Sequence, residues 1–97
     1  MAAYVIAELT VTDPTGFEDY RRVVEPTIKQ YGGRYLVRGG RCDTLEGTWQ
    51  PSRVVVLEFP SVEVARRWYD SPEYAPLKAL RMKTARTEAL LIDGVPT

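Results

Sequence analysis

The sequence predicts an α+β sandwich of element order βαββαβ, a four-stranded antiparallel sheet carrying its helices on one face. Three observations predict it. The first segment alternates strictly, with Val5, Ala7, Leu9 and Val11 on one side and Tyr4, Ile6, Glu8 and Thr10 on the other. Two later segments carry apolar residues at spacings of three and four behind a cap residue. Between them lies Val54-Val55-Val56-Leu57, apolar on both faces, as only a central strand would be.

The first strand is read over Ala3 to Val11. Asp13-Pro14 then opens a helix, with an acceptor at the cap and a proline in the first turn. Phe17, Tyr20, Val24, Ile28 and Tyr31 form its buried stripe. Pro26 removes one helical hydrogen bond and is expected to kink the helix near Arg22. Gly32 stops it, since glycine alone enters the left-handed region without a Cβ clash. Arg34 to Arg38 is a short strand closed by Gly39-Gly40. Arg41 to Ser52 is polar and reads as a long loop, with a brief edge strand near Thr44-Leu45-Glu46.

Arg53 to Phe59 is the third strand, and Ser61 caps a second helix with Val64, Ala65, Trp68 and Tyr69 inward. Ser71-Pro72 restarts the helical pattern, which continues through Leu77 and Leu80 to about Arg86. Thr87 to Ile92 is the last strand, ended by Asp93-Gly94. Right-handed crossovers then give the ferredoxin-like topology with strand order four-one-three-two, in one domain over residues 1–97.

Composition narrows the function classes. Lys+Arg and Asp+Glu are both 13, so no net field draws in nucleic acid or anionic membrane, and neither is expected as a partner. The chain has no histidine, which removes Ser-His and Cys-His nucleophilic machinery and histidine-ligated zinc or haem. Its glycine pairs do not form a nucleotide-binding loop, and no metal-ligand spacing occurs; no cofactor and no metal is expected. One cysteine, Cys42, no targeting segment and no long apolar run suit a cytoplasmic protein.

The sheet face away from the helices is expected to carry Tyr4, Ile6, Glu8, Leu36, Arg38, Val56, Glu58, Leu90 and Ile92, too apolar for water. A second copy of the chain is the economical cover, giving a homodimer with a barrel between two sheets. The ordered set Thr12-Asp13-Pro14, Tyr20, Pro26, Tyr31-Gly32-Gly33, Val37-Arg38-Gly39-Gly40, Glu46-Gly47, Trp49, Leu57-Glu58-Phe59-Pro60-Ser61, Trp68-Tyr69, Ser71-Pro72, Tyr74 and Arg81 resembles the bacterial family called domain of unknown function 1330, from about Ala3 to Gly94. The resemblance implies the dimeric α/β-barrel superfamily, whose similar barrels include antibiotic-biosynthesis monooxygenases, polyketide cyclases, muconolactone isomerases and haem-handling enzymes. The missing histidine separates this chain from the cyclases and haem enzymes that use one.

The candidate site residues follow from chemistry. Arg38, at a strand end beside two glycines and on the expected barrel face, is placed to hold a carboxylate or enolate. Glu8 lies toward the same end and is expected either to pair with Arg38 or to move a proton, with Glu58 at the other mouth. Glu46, on the loop beside Trp49, is a second candidate acid that could close over a ligand. Tyr20 is a candidate hydroxyl donor; Trp49, Trp68, Tyr69 and Tyr74 are aromatic walls of a core or pocket. Arg81 is a candidate binding residue, expected to pair with an acid near the second helix. The expected function is cofactor-free proton-transfer chemistry, as an isomerase, cyclase or hydrolase, on a small oxygenated or acidic metabolite. The alternatives are a non-catalytic metabolite-binding or structural dimer and a cofactor-free monooxygenase.

Overall fold

The computed structural model describes residues 1–95. Its elements are β1 (Ala3–Val11), α1 (Pro14–Val23), α2 (Glu25–Gln30), β2 (Arg34–Arg38), β3 (Val54–Phe59), α3 (Val62–Tyr69), α4 (Ala75–Thr84) and β4 (Ala85–Asp93). The sheet is antiparallel in the order β2-β3-β1-β4, the order expected from the sequence, with β3 and β1 central. Val5, Ala7, Leu9, Val55, Leu57 and Leu91 face the helices, where they meet Phe17, Ile28, Ala65, Trp68 and Tyr74 in one core.

Local chemistry sets the element ends. Asp13 accepts from the Gly16 amide at 3.2 Å, and the Ser61 hydroxyl accepts from the Val64 amide at 3.2 Å, each satisfying an orphan helix donor. Pro26 produces a break at Val24 rather than a kink near Arg22, because a proline in the first turn of α2 needs no hydrogen bond there. Gly32 ends α2 with φ +75°. At Gly33 a Cβ would lie 2.5 Å from Phe59 Cε1, so the chain re-enters the sheet against the core. The segment near Thr44-Leu45-Glu46 is irregular rather than a strand, and Leu45 is 95% exposed. Helix α4 ends at Thr84, two residues before the expected Arg86. There the Thr84 carbonyl accepts from the amides of Thr12 and Asp13, tying the start of β4 to the end of β1.

One irregularity redirects a functional side chain. Strand β2 pairs Tyr35 with Leu57 but Val37 with Val56, so Leu36 is an extra residue in a bulge. A bulge shifts side-chain parity by one. Arg38, opposite Val55, therefore faces the helices with Tyr35, and Val37 takes the outer face that alternation had assigned to Arg38. Elsewhere the outer face is as expected: Tyr4, Ile6 and Glu8 of β1 stand beside Val56, Glu58, Glu88, Leu90 and Ile92. Among the described residues no helix is long and apolar enough to cross a membrane.

Candidate functional site

A cavity of about 70 Å³ lies between the helices and the sheet, within one chain. The barrel expected from the sequence lies on the other face of the sheet, between two copies of the chain. The floor explains its place: Ala7 and Ala89 are register partners on the helix side of β1 and β4, and two small residues side by side leave space. Its lining runs from Arg38 on edge strand β2 to Thr87 and Ala89 on edge strand β4, roofed by Phe17, Tyr20, Trp68, Tyr69 and Tyr74. Ligand sites commonly measure roughly 300–1,000 Å³, so this space suits a small or slender molecule reaching toward an open edge.

The polar groups of the cavity are donors. Tyr20 and Tyr74, brought together from α1 and from the turn before α4, have hydroxyls 2.9 Å apart. The Tyr74 position is fixed by Ser71, whose hydroxyl donates to the Trp68 carbonyl at 2.7 Å and accepts from the Tyr74 amide at 3.1 Å. Arg81 Nε donates to the Tyr74 hydroxyl at 3.2 Å. Each phenol has one proton, and the pair shares one hydrogen bond, so one O–H is left over for the cavity. Arg81 is only 7% exposed, yet no carboxylate among the described residues lies within salt-bridge distance. That corrects the expected acidic partner. Thr87 Oγ1 is buried, also without a hydrogen-bond partner among the described residues, and it lines the cavity beside Arg81.

The cavity wall holds Arg21, Arg38, Arg53 and Arg81 and no Asp or Glu, in a chain of zero net charge. Burial, the largest single influence, works against the Arg81 charge, but Tyr74, Tyr20 and Tyr69 together offset it, and the guanidinium is held above its ordinary value. Burial foremost, then Tyr74, pushes the Tyr20 phenol far above its ordinary 10.0, so Tyr20 serves as a donor and not as a base. Burial raises Tyr35 as well. Because these phenols hold their protons more tightly folded than unfolded, they cost no stability below about pH 10. Stability falls as pH rises above that value. Urea midpoints measured between about pH 9 and pH 11 should show the fall, and Tyr20→Phe should make it shallower.

The other expected site residues are placed as follows. Trp68 and Tyr69 line the cavity. Arg38 lines the cavity with its guanidinium committed: Nη2 donates to the Arg21 carbonyl at 2.8 Å, Nη1 lies 3.3 Å from Glu25, and Cζ stacks 4.4 Å over the Tyr35 ring. Glu8 is on the opposite sheet face, across from Val54 and Glu88, and does not meet Arg38. Glu58, also on the outer face, pairs with Arg34 at 2.7 Å. Glu46 is exposed on the loop and Trp49 is 63% exposed; neither lines the cavity. Arg21, Tyr35, Arg53 and Thr87 are the polar lining residues that the sequence reading missed. Arg53 lies 5.3 Å over the Phe17 ring, and Gly39 at φ +72° lets the chain pass it, since a Cβ there would lie 3.1 Å from Arg53 Cγ.

Residues 2–95 match the model of the family described as Domain of unknown function (DUF1330). The chain belongs to this family. A search of curated protein sequences gives no match. Among solved structures, a protein of unknown function from Rhodopseudomonas palustris is similar with TM-score 0.77 and 15% identity, over 99% of this chain and 84% of that one. SnoaB, a cofactor-independent oxygenase from Streptomyces nogalater, is similar with TM-score 0.66 and 16% identity, over 99% of this chain and 95% of that one. HapK from Hahella chejuensis gives TM-score 0.67 and 14% identity, over 98% of this chain and 94% of that one. At these identities the likeness is one of fold, a ferredoxin-like α+β fold.

Proposed function

We propose that this family member binds a small organic anion, or a carbonyl compound that becomes one, in the cavity between helices and sheet. The chemistry proposed is cofactor-free reaction through an enolate stabilised by Arg81. The observation that carries this reading is the buried Arg81 guanidinium without a carboxylate, beside the spare phenol proton of the Tyr20–Tyr74 pair and the partnerless Thr87 hydroxyl. Fixed donors in a low-dielectric site favour the state in which an oxygen gains negative charge. Stabilising an enolate in this way speeds loss of the neighbouring C–H proton to water, the first step of an isomerisation. It is equally the activation that an electron-rich substrate needs before it meets oxygen, and one fold relative is named a cofactor-independent oxygenase.

A second reading, a non-catalytic metabolite binder, is favoured by one specific fact: among the described residues no carboxylate lines the cavity to act as a base. Levulinate in D2O separates the two. Proton NMR should show saturable binding together with faster deuterium uptake beside the ketone, and Arg81→Gln should lose both. Binding without faster exchange would leave the binder. No binding would overturn the reading of the cavity.

The proposed assembly is a homodimer through the outer sheet face, where Val37, Leu90 and Ile92 are 41%, 64% and 40% exposed on a flat strand surface. Light scattering should give twice the chain mass, and Leu90→Asp, which puts a charge on the most exposed of these three residues, should shift the protein toward the monomer. A wild-type mass equal to one chain would remove this proposal.

A further inference from the structure

The cavity has two cationic poles, and the sheet register fixes how they lie. The Leu9 amide donates to the Arg53 carbonyl at 2.9 Å on one side, and Leu9 is the register partner of Thr87 on the other. Arg53, immediately before β3, and Thr87 on β4 therefore stand level with each other, two interstrand steps or ~10 Å apart, with β1 between them. Arg81 lines the cavity with Thr87. Between the poles the wall is Leu9, Phe17 and Tyr20. Neither Arg53 nor Arg81 has a carboxylate within salt-bridge distance among the described residues, whereas Arg38, also in the lining, already has Glu25. Two unneutralised guanidinium groups facing one narrow apolar space leave the space complementary to a molecule with a negative group at each end.

We infer that the ligand of this cavity is a slender diacid. One acid group is held at the β4 side by Arg81, Thr87 and the tyrosine pair, the other at the β3 side by Arg53. This rests on the reading that the cavity binds an organic anion through Arg81, and it names the class of that anion. A monoacid of the same length satisfies one pole and leaves the other bare. The missing charge-assisted contact corresponds to a preference on the order of tenfold to a hundredfold for the diacid.

Calorimetric titration of the full chain at one fixed, low ionic strength tests this with succinate, glutarate and adipate against butyrate, pentanoate and hexanoate. One diacid is expected to bind at least tenfold tighter than its monoacid counterpart. Arg53→Gln should bring that diacid down to the monoacid's affinity, and Arg53→Lys should keep part of the preference, which controls for loss of folding. Arg81→Gln should weaken both classes. Equal affinities for diacid and monoacid, with both still lost in Arg81→Gln, would overturn the diacid while leaving the anion site in place. Failure of all six acids to bind would overturn the diacid and the anion site together.

Discussion

Trp68→Ala is expected to destabilise the protein by about 3–5 kcal/mol, the range for emptying a buried aromatic site. The indole is 2% exposed and joins four parts of the chain. Its ring lies 5.2 Å from Phe59 on β3 and 4.1 Å from Tyr74 after α3, and its Nε1 donates to the Thr27 hydroxyl on α2 at 3.1 Å. Truncation removes these contacts at once and opens new space beside the cavity, so neighbours cannot close over it without moving Tyr74. Set against the roughly 5–15 kcal/mol that hold a domain together, the loss is a large fraction. Urea unfolding should show a lower midpoint at an unchanged slope. Trp68→Phe keeps most of the ring and loses the N–H bond, leaving the Thr27 hydroxyl one partner short; about 1–2 kcal/mol is expected. A loss under about 1 kcal/mol for Trp68→Ala would mean that the helix layer is not pinned through this residue.

The two outcomes that were legible in the sequence, and the two that were not, divide along one physical line. β1 was readable residue by residue because strict alternation from Val5 to Val11 encodes both its length and its faces. The strand order was readable because Val54 to Leu57 demanded a central place. The facing of Arg38 was not, since nothing in Arg34-Tyr35-Leu36-Val37-Arg38 marks Leu36 as the bulged residue, and one extra residue reverses every side chain beyond it. The cavity was not readable either. It depends on Ala7 meeting Ala89, a register between strands at opposite ends of the chain, and alanine in an apolar stripe carries no sign of what faces it. Arg81 and Tyr74 are seven residues apart and share a helix face, so their meeting was within reach of the sequence. That the partner is a phenol and not an acid depends on burial between α1 and α4. Glu8 and Glu46 carried the expected proton-transfer chemistry on residue type alone, and the fold places both away from the cavity.

Arg81→Met gives the second large effect, and its value lies in two measurements moving apart. A buried guanidinium with no carboxylate partner among the described residues has been taken out of water for one hydrogen bond to Tyr74 and the burial of its stem. Replacing a buried charge with an apolar side chain of similar length is often neutral or stabilising. The Tyr74 hydroxyl keeps the Tyr20 hydroxyl at 2.9 Å, so it is not stranded when Arg81 goes. Thermal and urea unfolding of Arg81→Met should therefore equal or exceed the parent protein, while affinity for any organic anion falls by at least tenfold. A residue present for folding would show the reverse, with stability lost and binding falling only as far as the folded fraction does. Arg81→Lys completes the argument. A lysine keeps the charge but not the Nε fork that places it against Tyr74, so it should recover part of the binding and little of the discrimination between anions of different shape. If Arg81→Met loses several kcal/mol of stability, the guanidinium is a strut between α4 and α1, and the cavity beside it is a packing remnant.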